Sequence, residues 1–371
     1  MHRRHFIAAS FSFGTATLLG QAQIPEGEKK EEPKMTWHDP QQWGVEGREW
    51  PDQQRLRYYD RLPASAENKV PKPVWGLSRQ SAGIAVRFKS NSSTIQVRYK
   101  LMLPELAKPH IPATGASGVD LYARDGAGKW KWVGVSKPTK QEVSETLASK
   151  VPKEPREWMI YLPLFNGVET LEIGVEEGAT FEGLAPRQKD LVVFYGTSIT
   201  HGACASRPGM THVAILGRRL DVPTVNLGFS GNGRMDASVG EYLMQSNPAV
   251  FVIDCLPNMG AEQVTERTVP LVKQLRAARP ETPILLVESR RNTDSWISPS
   301  LQTLHSNKHN ALKVEFEKLK AEGVKGLFYL AGDGLLGDDA DASTDGSHPS
   351  DLGFYRQADA FEPVLREILK R

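Results

Sequence analysis

The chain has 371 residues, which is long enough for two domains, and its 39% hydrophobic and 24% charged residues are typical of a soluble globular protein. Its 46 basic and 44 acidic residues give a formal net charge of +2, so no overall field favours nucleic acid or an anionic membrane as a partner. Length and charge leave the function open among soluble enzymes and binding proteins.

Residues 1–22 have the pattern of a signal peptide. Arg3 and Arg4 precede a mildly apolar run that ends at Leu19, and the small residue Ala22 suits cleavage after it. The run is shorter than the roughly 20 residues that a membrane span needs, so we expect no span in the mature chain. The arginine pair favours the twin-arginine route over an ordinary secretory signal. By either route the protein would be periplasmic or secreted from a bacterial cell.

Residues 40–185 are predicted to form an antiparallel β-sandwich of the jelly-roll type, after a charged linker at 23–39 that lacks periodicity. Apolar and polar residues alternate over 84–101 around the turn SNSS, which predicts a hairpin with one face in solvent. A second hairpin is predicted for GVDLYAR and KWKWVGV, joined at 125–128. The strands EWMIYL and ETLEIGV flank a further turn at 165–167.

Residues 186–371 change to a doubly wound α/β pattern. Strands that are apolar on both faces alternate with amphipathic segments, which predicts a parallel sheet covered by helices on both sides. The predicted strands are 191–195, 223–229, 249–256, 283–288 and 326–331, and the predicted helices lie near 209–220, 260–279, 305–322 and 351–370.

Polar residues follow the predicted parallel strands, where open α/β sheets place their active sites. Ser198 ends the turn after the first strand, and Asp345 and His348 lie before the last helix. A serine hydroxyl needs a base to become a nucleophile, and the imidazole needs a carboxylate to fix its tautomer. The backbone N–H groups of Ser198 and Gly231 and the amide of Asn258 are predicted to stabilise an oxyanion.

Each of these residues also has an ordinary structural explanation. Ser198 suits a helix cap, Gly231 and Asn258 suit turns, and Asp345 with His348 suits a surface pair or two metal ligands. Their occurrence together, in strand-end order, favours catalysis. We expect no metal or cofactor, and we interpret the acidic run GDDADASTD as a solvated loop instead of a calcium site.

Three further residues have open interpretations. His201 and His212 lie near Ser198 in the sequence and are rival bases. Trp296 lies in the loop RRNTDSWISPS and is either a wall on which a sugar stacks or a lid packed on its own domain.

The order Gly-Thr-Ser, Gly, Asn and Asp-x-x-His over residues 190–370 resembles the SGNH (GDSL-like) hydrolases. The resemblance implies Ser198 as nucleophile, Gly231 and Asn258 as oxyanion donors, and Asp345 with His348 as the acid–base pair. The first block reads Gly-Thr-Ser instead of Gly-Asp-Ser, and the third reads Leu-Pro-Asn instead of Gly-x-Asn-Asp, which leaves the substrate class open.

The segment GVDLY at 118–122 resembles the β-rich N-terminal domain of one bacterial branch of these hydrolases, which is similar to carbohydrate acetyl esterases. This resemblance implies an exported esterase that acts on acetylated polysaccharide or oligosaccharide. The alternatives are a lipid or thioester acylhydrolase of the same family and a non-catalytic carbohydrate-binding protein.

The two cysteines, Cys204 and Cys255, are expected near the carboxyl ends of neighbouring strands, the first and the third. A disulfide would persist in an oxidising compartment, whereas two buried free thiols would only fill space. The sequence leaves both open, because the separation of the α-carbons decides between them.

Overall fold

The computed structural model describes residues 33–371. The predicted signal peptide lies outside the described residues, as does most of the predicted linker. The N-terminal part of the chain consists of antiparallel strands with two short helices. These elements are β1 (Met35–His38), α1 (Lys72–Ser78), β2 (Ala85–Ser90), β3 (Ile95–Leu101), α2 (Ala113–Ala116), β4 (Asp120–Arg124), β5 (Trp130–Val135), β6 (Glu142–Ala148), β7 (Arg156–Tyr161), β8 (Val168–Glu176) and β9 (Phe181–Gly183).

The antiparallel strands form two sheets, with strand orders β1-β8-β3-β6 and β5-β4-β7-β2-β9. Both contribute to one hydrophobic core, in which Val86 and Phe88 of β2 and Val97 of β3 are buried. The β-sandwich prediction is confirmed, as is the hairpin of β4 and β5.

The hairpin predicted over 84–101 is wrong. β2 pairs with β7 and β9, whereas β3 pairs with β6 and β8, so the SNSS turn carries the chain from one sheet to the other. The strands on either side of the turn at 165–167, β7 and β8, also lie in different sheets. Alternation identifies the buried face of a strand but not its neighbour, because both sheets bury a face in the same core.

The linker prediction is wrong at its C-terminal end. Met35–His38 forms β1 and pairs antiparallel with β8. The guanidinium carbon of Arg98 in β3 lies 3.7 Å from the centre of the Trp37 ring in β1, so a side-chain contact also joins β1 to its sheet. A strand of four residues is too short for its alternation of apolar and polar residues to be recognised after a charged segment.

The C-terminal part of the chain is a five-stranded parallel sheet of order β11-β10-β12-β13-β14. All five predicted parallel strands are confirmed, and helices cover both faces of the sheet. These elements are β10 (Val192–Gly196), α3 (Ser198–His201), α4 (His212–Leu220), β11 (Thr224–Gly228), α5 (Ala237–Leu243), β12 (Val250–Asp254), α6 (Ala261–Ala278), β13 (Ile284–Val287), α7 (Pro299–Ala321), β14 (Leu327–Leu330) and α8 (Asp351–Leu369).

The register of the sheet aligns the strand ends that matter for the site. Gly196, the last residue of β10, is opposite Gly228 of β11 and Asp254 of β12. The loops that follow these three strands therefore begin at one level, at the same edge of the sheet.

Residues between β1 and β2 also pack on the parallel sheet, within the single compact unit Lys34–Arg371. Trp50, Leu62 and Val74 belong to the core beneath α5, α6 and α7. The buried guanidinium of Arg61 donates to the carbonyl oxygens of Asn226 (3.0 Å) and Gly228 (2.7 Å) of β11. Among the described residues, no helix has the length and apolar character of a membrane span.

Candidate active site

A tight turn presents Ser198 at the end of β10. Thr197 caps α3, its hydroxyl accepting from the N–H of Ile199 at 3.3 Å, and Ser198 is the first helical residue. A Cβ at Gly196 would lie 2.0 Å from the hydroxyl oxygen of Thr200, so this strand end requires glycine. The Ser198 residue is 8% exposed, so it is not completely enclosed.

The structure brings Ser198, His348 and Asp345 together, and we call these three residues the Ser198 cluster. Ser198 Oγ lies 2.9 Å from His348 Nε2, and His348 Nδ1 lies 2.7 Å from Asp345 Oδ2. A carboxylate can only accept, so Nδ1 carries the ring proton and Nε2 accepts from the serine hydroxyl. This is the arrangement of a nucleophile, its base and the group that orients the base.

The loop that carries Asp345 and His348 is fixed by its own hydrogen bonds. Asp345 Oδ1 accepts from the backbone N–H of Ser347 at 3.1 Å and of His348 at 2.7 Å, while Thr344 N–H donates to His348 O at 2.9 Å. Partial burial opposes ionisation of Asp345, but the hydrogen bonds from His348 and Ser347 outweigh it and lower the pKa of the carboxyl group. The carboxylate is therefore held ionised beside the imidazole.

Gly231 and Asn258 lie on the loops that follow β11 and β12. Gly231 has a φ of +70°, a conformation that favours glycine, in a turn where Gly233 N–H donates to Phe229 O at 2.9 Å. The Asn258 side chain is best satisfied in the amide orientation in which its oxygen accepts from Asn232 N–H at 3.1 Å and from Gly233 N–H at 3.3 Å, and in that orientation its NH2 group lies on the opposite side of the amide. The two loops that carry predicted oxyanion donors are thereby joined.

A buried ion pair, Arg290 with Asp254, supports the turn that carries Ser198. Arg290 donates to both carboxylate oxygens of Asp254, at 2.8 and 2.6 Å, and Thr200 Oγ1 of α3 donates to Asp254 Oδ2 at 3.1 Å. The pair connects α3 to the ends of β12 and β13. Neither charged residue was singled out from the sequence, although Asp254 ends β12 and Arg290 lies three residues after the end of β13.

The two rival histidines are not placed to act as bases. His201 is fully buried, and its Nε2 lies 2.7 Å from Leu164 O, while its ring stacks on Phe165. His212 is also fully buried, and its ring stacks on Phe354. Burial lowers the pKa of both imidazoles well below the ordinary value, so both are neutral core residues.

Two residues beside the Ser198 cluster were not predicted to belong to the site. The ring of His110, from the loop between β3 and α2, lies 5.7 Å from that of His348. Cys204 follows α3, and burial raises the pKa of its thiol to about 11. No pattern around His110 indicates a site, because it comes from a different part of the sequence.

Cys204 and Cys255 are free, so the disulfide alternative is not realised. Both thiols are buried, and Cys255 donates weakly to Tyr195 O at 3.6 Å. Cys255 is part of the hydrophobic core beneath α5, α6 and α7.

A second cluster of the same residue types lies at the end of β13, and we call Ser289, His309 and Glu288 the Ser289 cluster. Ser289 Oγ lies 3.1 Å from His309 Nε2, and His309 Nδ1 lies 3.3 Å from Glu288 Oε2. His309 Nε2 also lies 2.7 Å from Ser289 O, and Ser289 is fully buried. The imidazole nitrogen therefore donates to a carbonyl, and substrate has no access to the hydroxyl.

The loop after Ser289 approaches the Ser198 cluster. Thr293 N–H donates to Gly346 O at 2.8 Å, which joins this loop to the segment of Asp345. A cavity of about 460 Å³ lies against the loop, lined by Arg291, Asn292, Trp296 and Gln302 among others. Trp296 is 73% exposed, so it is not a lid packed on its own domain.

Two family models match consecutive parts of the chain. Residues 188–366 match the GDSL-like Lipase/Acylhydrolase family, and residues 35–181 match the N-terminus of the SGNH-hydrolase-type esterases. No curated protein sequence matches the chain.

Solved structures resemble most of the chain. A protein of Bacteroides ovatus described as a GDSL-like lipase is 32% identical, with a TM-score of 0.85 over 91% of this chain and 98% of its own. The salicylyl-acyltransferase SsfX3 of a tetracycline biosynthetic pathway is 19% identical, with a TM-score of 0.73 over 91% and 97%. A family two carbohydrate esterase of Clostridium thermocellum, solved with cellohexaose, is 14% identical, with a TM-score of 0.55 over 78% and 93%. At these identities the last two show a shared fold.

Proposed function

Because the chain belongs to the GDSL-like lipase/acylhydrolase family of SGNH hydrolases, we propose that it is an exported serine esterase that removes acetyl groups from polysaccharide or oligosaccharide. The observation that carries the proposal is the unbroken series of contacts from Ser198 Oγ to His348 Nε2 (2.9 Å) and from His348 Nδ1 to Asp345 Oδ2 (2.7 Å). The resemblance drawn from the sequence blocks is confirmed at the level of the family.

In the first half of the reaction, Ser198 Oγ attacks the ester carbonyl while its proton passes to His348 Nε2. Asp345 accepts from Nδ1 and stabilises the imidazolium that forms. The imidazolium then gives the proton to the leaving sugar hydroxyl, and the acyl group remains on Ser198.

The oxyanion of the tetrahedral intermediate is held by the N–H of Ser198, the N–H of Gly231 and the NH2 group of Asn258. The positive φ of Gly231 and the contacts of the Asn258 oxygen with Asn232 and Gly233 support this role, because they fix both donors before substrate binds. In the second half, His348 takes a proton from a water molecule as that water attacks the acyl carbonyl, and it returns the proton to Ser198 Oγ as acetate leaves.

Two observations support a carbohydrate as the substrate. In the cavity on the loop after Ser289, the polar side chains of Arg291, Asn292 and Gln302 surround one exposed indole, Trp296, beside apolar surface from Leu336 and Ala340, and an exposed indole flanked by polar groups suits stacking of a sugar ring. The fold is shared with the carbohydrate esterase of Clostridium thermocellum. The proposal includes no nucleic acid and no cofactor, and export rests on the pattern of residues 1–22.

Turnover of 4-nitrophenyl esters of increasing chain length tests the acyl preference. We expect kcat/KM to be highest for acetate and to fall with longer chains, and release of acetate from acetylated polysaccharides to require Ser198. Preference for long chains would favour the lipid acylhydrolase instead. Sugar binding without turnover would favour the non-catalytic carbohydrate-binding protein.

A further inference from the structure

Four side chains of metal-binding type meet at His348. His110, Cys204, Asp345 and His348 each offer a nitrogen, sulfur or carboxylate oxygen, and these four atoms lie within 4.8 Å of one another. His110 and Cys204 take no part in the hydrolysis proposed above. We propose that these four residues, which we call the metal-ligand cluster, bind a divalent cation of the zinc class and that the bound cation switches the hydrolase off.

The donor set matches the chemistry of zinc. Zinc is held tetrahedrally by thiolate, imidazole and carboxylate with bonds of about 2.0–2.3 Å, which puts ligand atoms about 3.3–3.8 Å apart. The most widely separated ligand atoms, which lie within 4.8 Å of one another, would therefore move about 1 Å closer together when the ion binds. One thiolate and one carboxylate neutralise the dication. Calcium and magnesium prefer six or more oxygen ligands and find one carboxylate here.

The ligands come from three separate segments of the chain. His110 belongs to an exposed part of the loop between β3 and α2, Cys204 follows α3, and Asp345 and His348 share the loop before α8. His110 and Asp345 are exposed, His348 is half-buried and Cys204 is buried. A preformed buried thiol with an exposed histidine beside it is suited to capture an ion from solvent.

Binding of the ion is incompatible with the proposed hydrolysis, on which this step of the inference rests. If the ion takes His348 Nδ1, the bond to Asp345 is lost and the ring proton moves to Nε2, which can no longer accept from Ser198. If the ion takes Nε2, the base is removed from Ser198 directly. In both cases the proton of the Cys204 thiol is released to solvent and the ion replaces it.

Binding is measured on the Ser198→Ala protein after treatment with chelator, so that the result does not depend on activity. We expect one Zn²⁺ per chain by titration calorimetry, and Co²⁺ to produce the absorption of a thiolate-to-cobalt charge transfer. Cys204→Ala and His110→Gln, each made in the same background, are expected to weaken Zn²⁺ binding at least tenfold, and Cys204→Ala to abolish the Co²⁺ band. Cys255→Ala removes the other thiol and is expected to change neither.

Inhibition is then measured on the protein with Ser198 intact. We expect Zn²⁺ but not Mg²⁺ to stop turnover of 4-nitrophenyl acetate, EDTA to restore it, and Cys204→Ala to raise the inhibitory concentration of Zn²⁺ at least tenfold.

Absence of Zn²⁺ binding to the Ser198→Ala protein, or binding that survives Cys204→Ala and His110→Gln in proteins with unchanged melting temperatures, overturns the site. Binding with unchanged turnover overturns the switch. A protein without esterase activity refutes the proposed function, while the Co²⁺ spectrum still decides the site.

Discussion

The Ser198 cluster and the Ser289 cluster are built from the same residue types at the same edge of one parallel sheet. Ser198 follows β10 and Ser289 follows β13, and in each cluster a histidine lies between a serine and a carboxylate. They differ in two respects. Ser198 is 8% exposed whereas Ser289 is fully buried, and His348 Nε2 faces only a hydroxyl whereas His309 Nε2 also bonds to a carbonyl at 2.7 Å.

The difference identifies what makes such a cluster catalytic. A base must have a nitrogen lone pair directed at the nucleophile, and the nucleophile must be open to substrate. The Ser289 cluster has neither, and its hydrogen bonds connect β13 to α7. It is therefore an internal control for the Ser198 cluster, since changes of the same chemical type should affect turnover in one and stability in the other.

The largest effect is expected for Ser198→Ala, which removes the nucleophile. Turnover should fall by about four decades or more, because loss of a nucleophile leaves only the contribution of binding and the oxyanion donors. The matched control is Ser289→Ala, for which we expect turnover within about twofold of wild type. Kinetics with 4-nitrophenyl acetate measures both. If Ser198→Ala kept more than about a tenth of kcat, the nucleophile assignment would be refuted.

His348→Ala should lower turnover almost as much as Ser198→Ala, and Asp345→Asn should lower it by about one to two decades less. The base is indispensable, whereas the orienting carboxylate is partly replaced by an amide of the same shape. The comparison is made at neutral pH with one substrate. The reverse ranking would mean that His348 is not the base that takes the proton from Ser198.

The contrast between the clusters also explains how far the sequence predicts this protein. The five parallel strands were predicted because they are apolar on both faces. The rule that polar residues at strand ends form the site pointed to Ser198, but it applies equally to Ser289. What separates the two serines is the environment of their histidines, and that environment depends on burial and on a carbonyl oxygen that no local pattern reveals.

Long-range contacts account for most of what the sequence did not predict. Period-two alternation located the buried faces of β2 and β3 but not their placement in different sheets. His110 comes close to His348 from 238 positions earlier in the chain, within the predicted β-sandwich domain. Arg61 bonds to β11 from the same domain. Such contacts depend on how two layers pack, which hydrophobic periodicity does not encode.

Asn258→Ala should have an intermediate effect on turnover. It extends the comparison to the oxyanion donors, which are assigned to the Ser198 cluster alone. Loss of one donor should lower kcat by about 10²–10³ with little change in KM, because the bond forms mainly in the transition state. Asn258→Asp keeps the shape but places a negative charge near the oxyanion, so its loss should be larger. A change in kcat of less than about threefold for Asn258→Ala would exclude this amide from the oxyanion site.

Glu288→Gln should affect stability and leave turnover within about twofold. Glu288 accepts from the Tyr329 hydroxyl and from Gly332 N–H at 2.7 Å, and its Oε2 lies 3.3 Å from His309 Nδ1, so an amide can satisfy only part of this set. Leaving a buried donor unpaired costs about 1–3 kcal/mol in the free energy of unfolding. Denaturant titration measures the loss. Unchanged stability would show that the Ser289 cluster does not hold β13 to α7.

The smallest expected effect is the contribution of Asp345 to stability and its dependence on pH. The pKa of Asp345 is lowered in the folded protein, because its hydrogen bonds with His348 and Ser347 outweigh partial burial. A carboxyl group with a lowered pKa stabilises the fold above its unfolded pKa of ~3.9, and this contribution disappears as pH falls through the lower folded value. Since the Asp345 side chain is 35% exposed, the contribution should stay below about 1 kcal/mol. Melting temperatures of wild type and Asp345→Asn should therefore differ slightly at pH 6 and converge below about pH 4. A gap that widens as pH falls would mean that the carboxyl group is not held ionised beside His348.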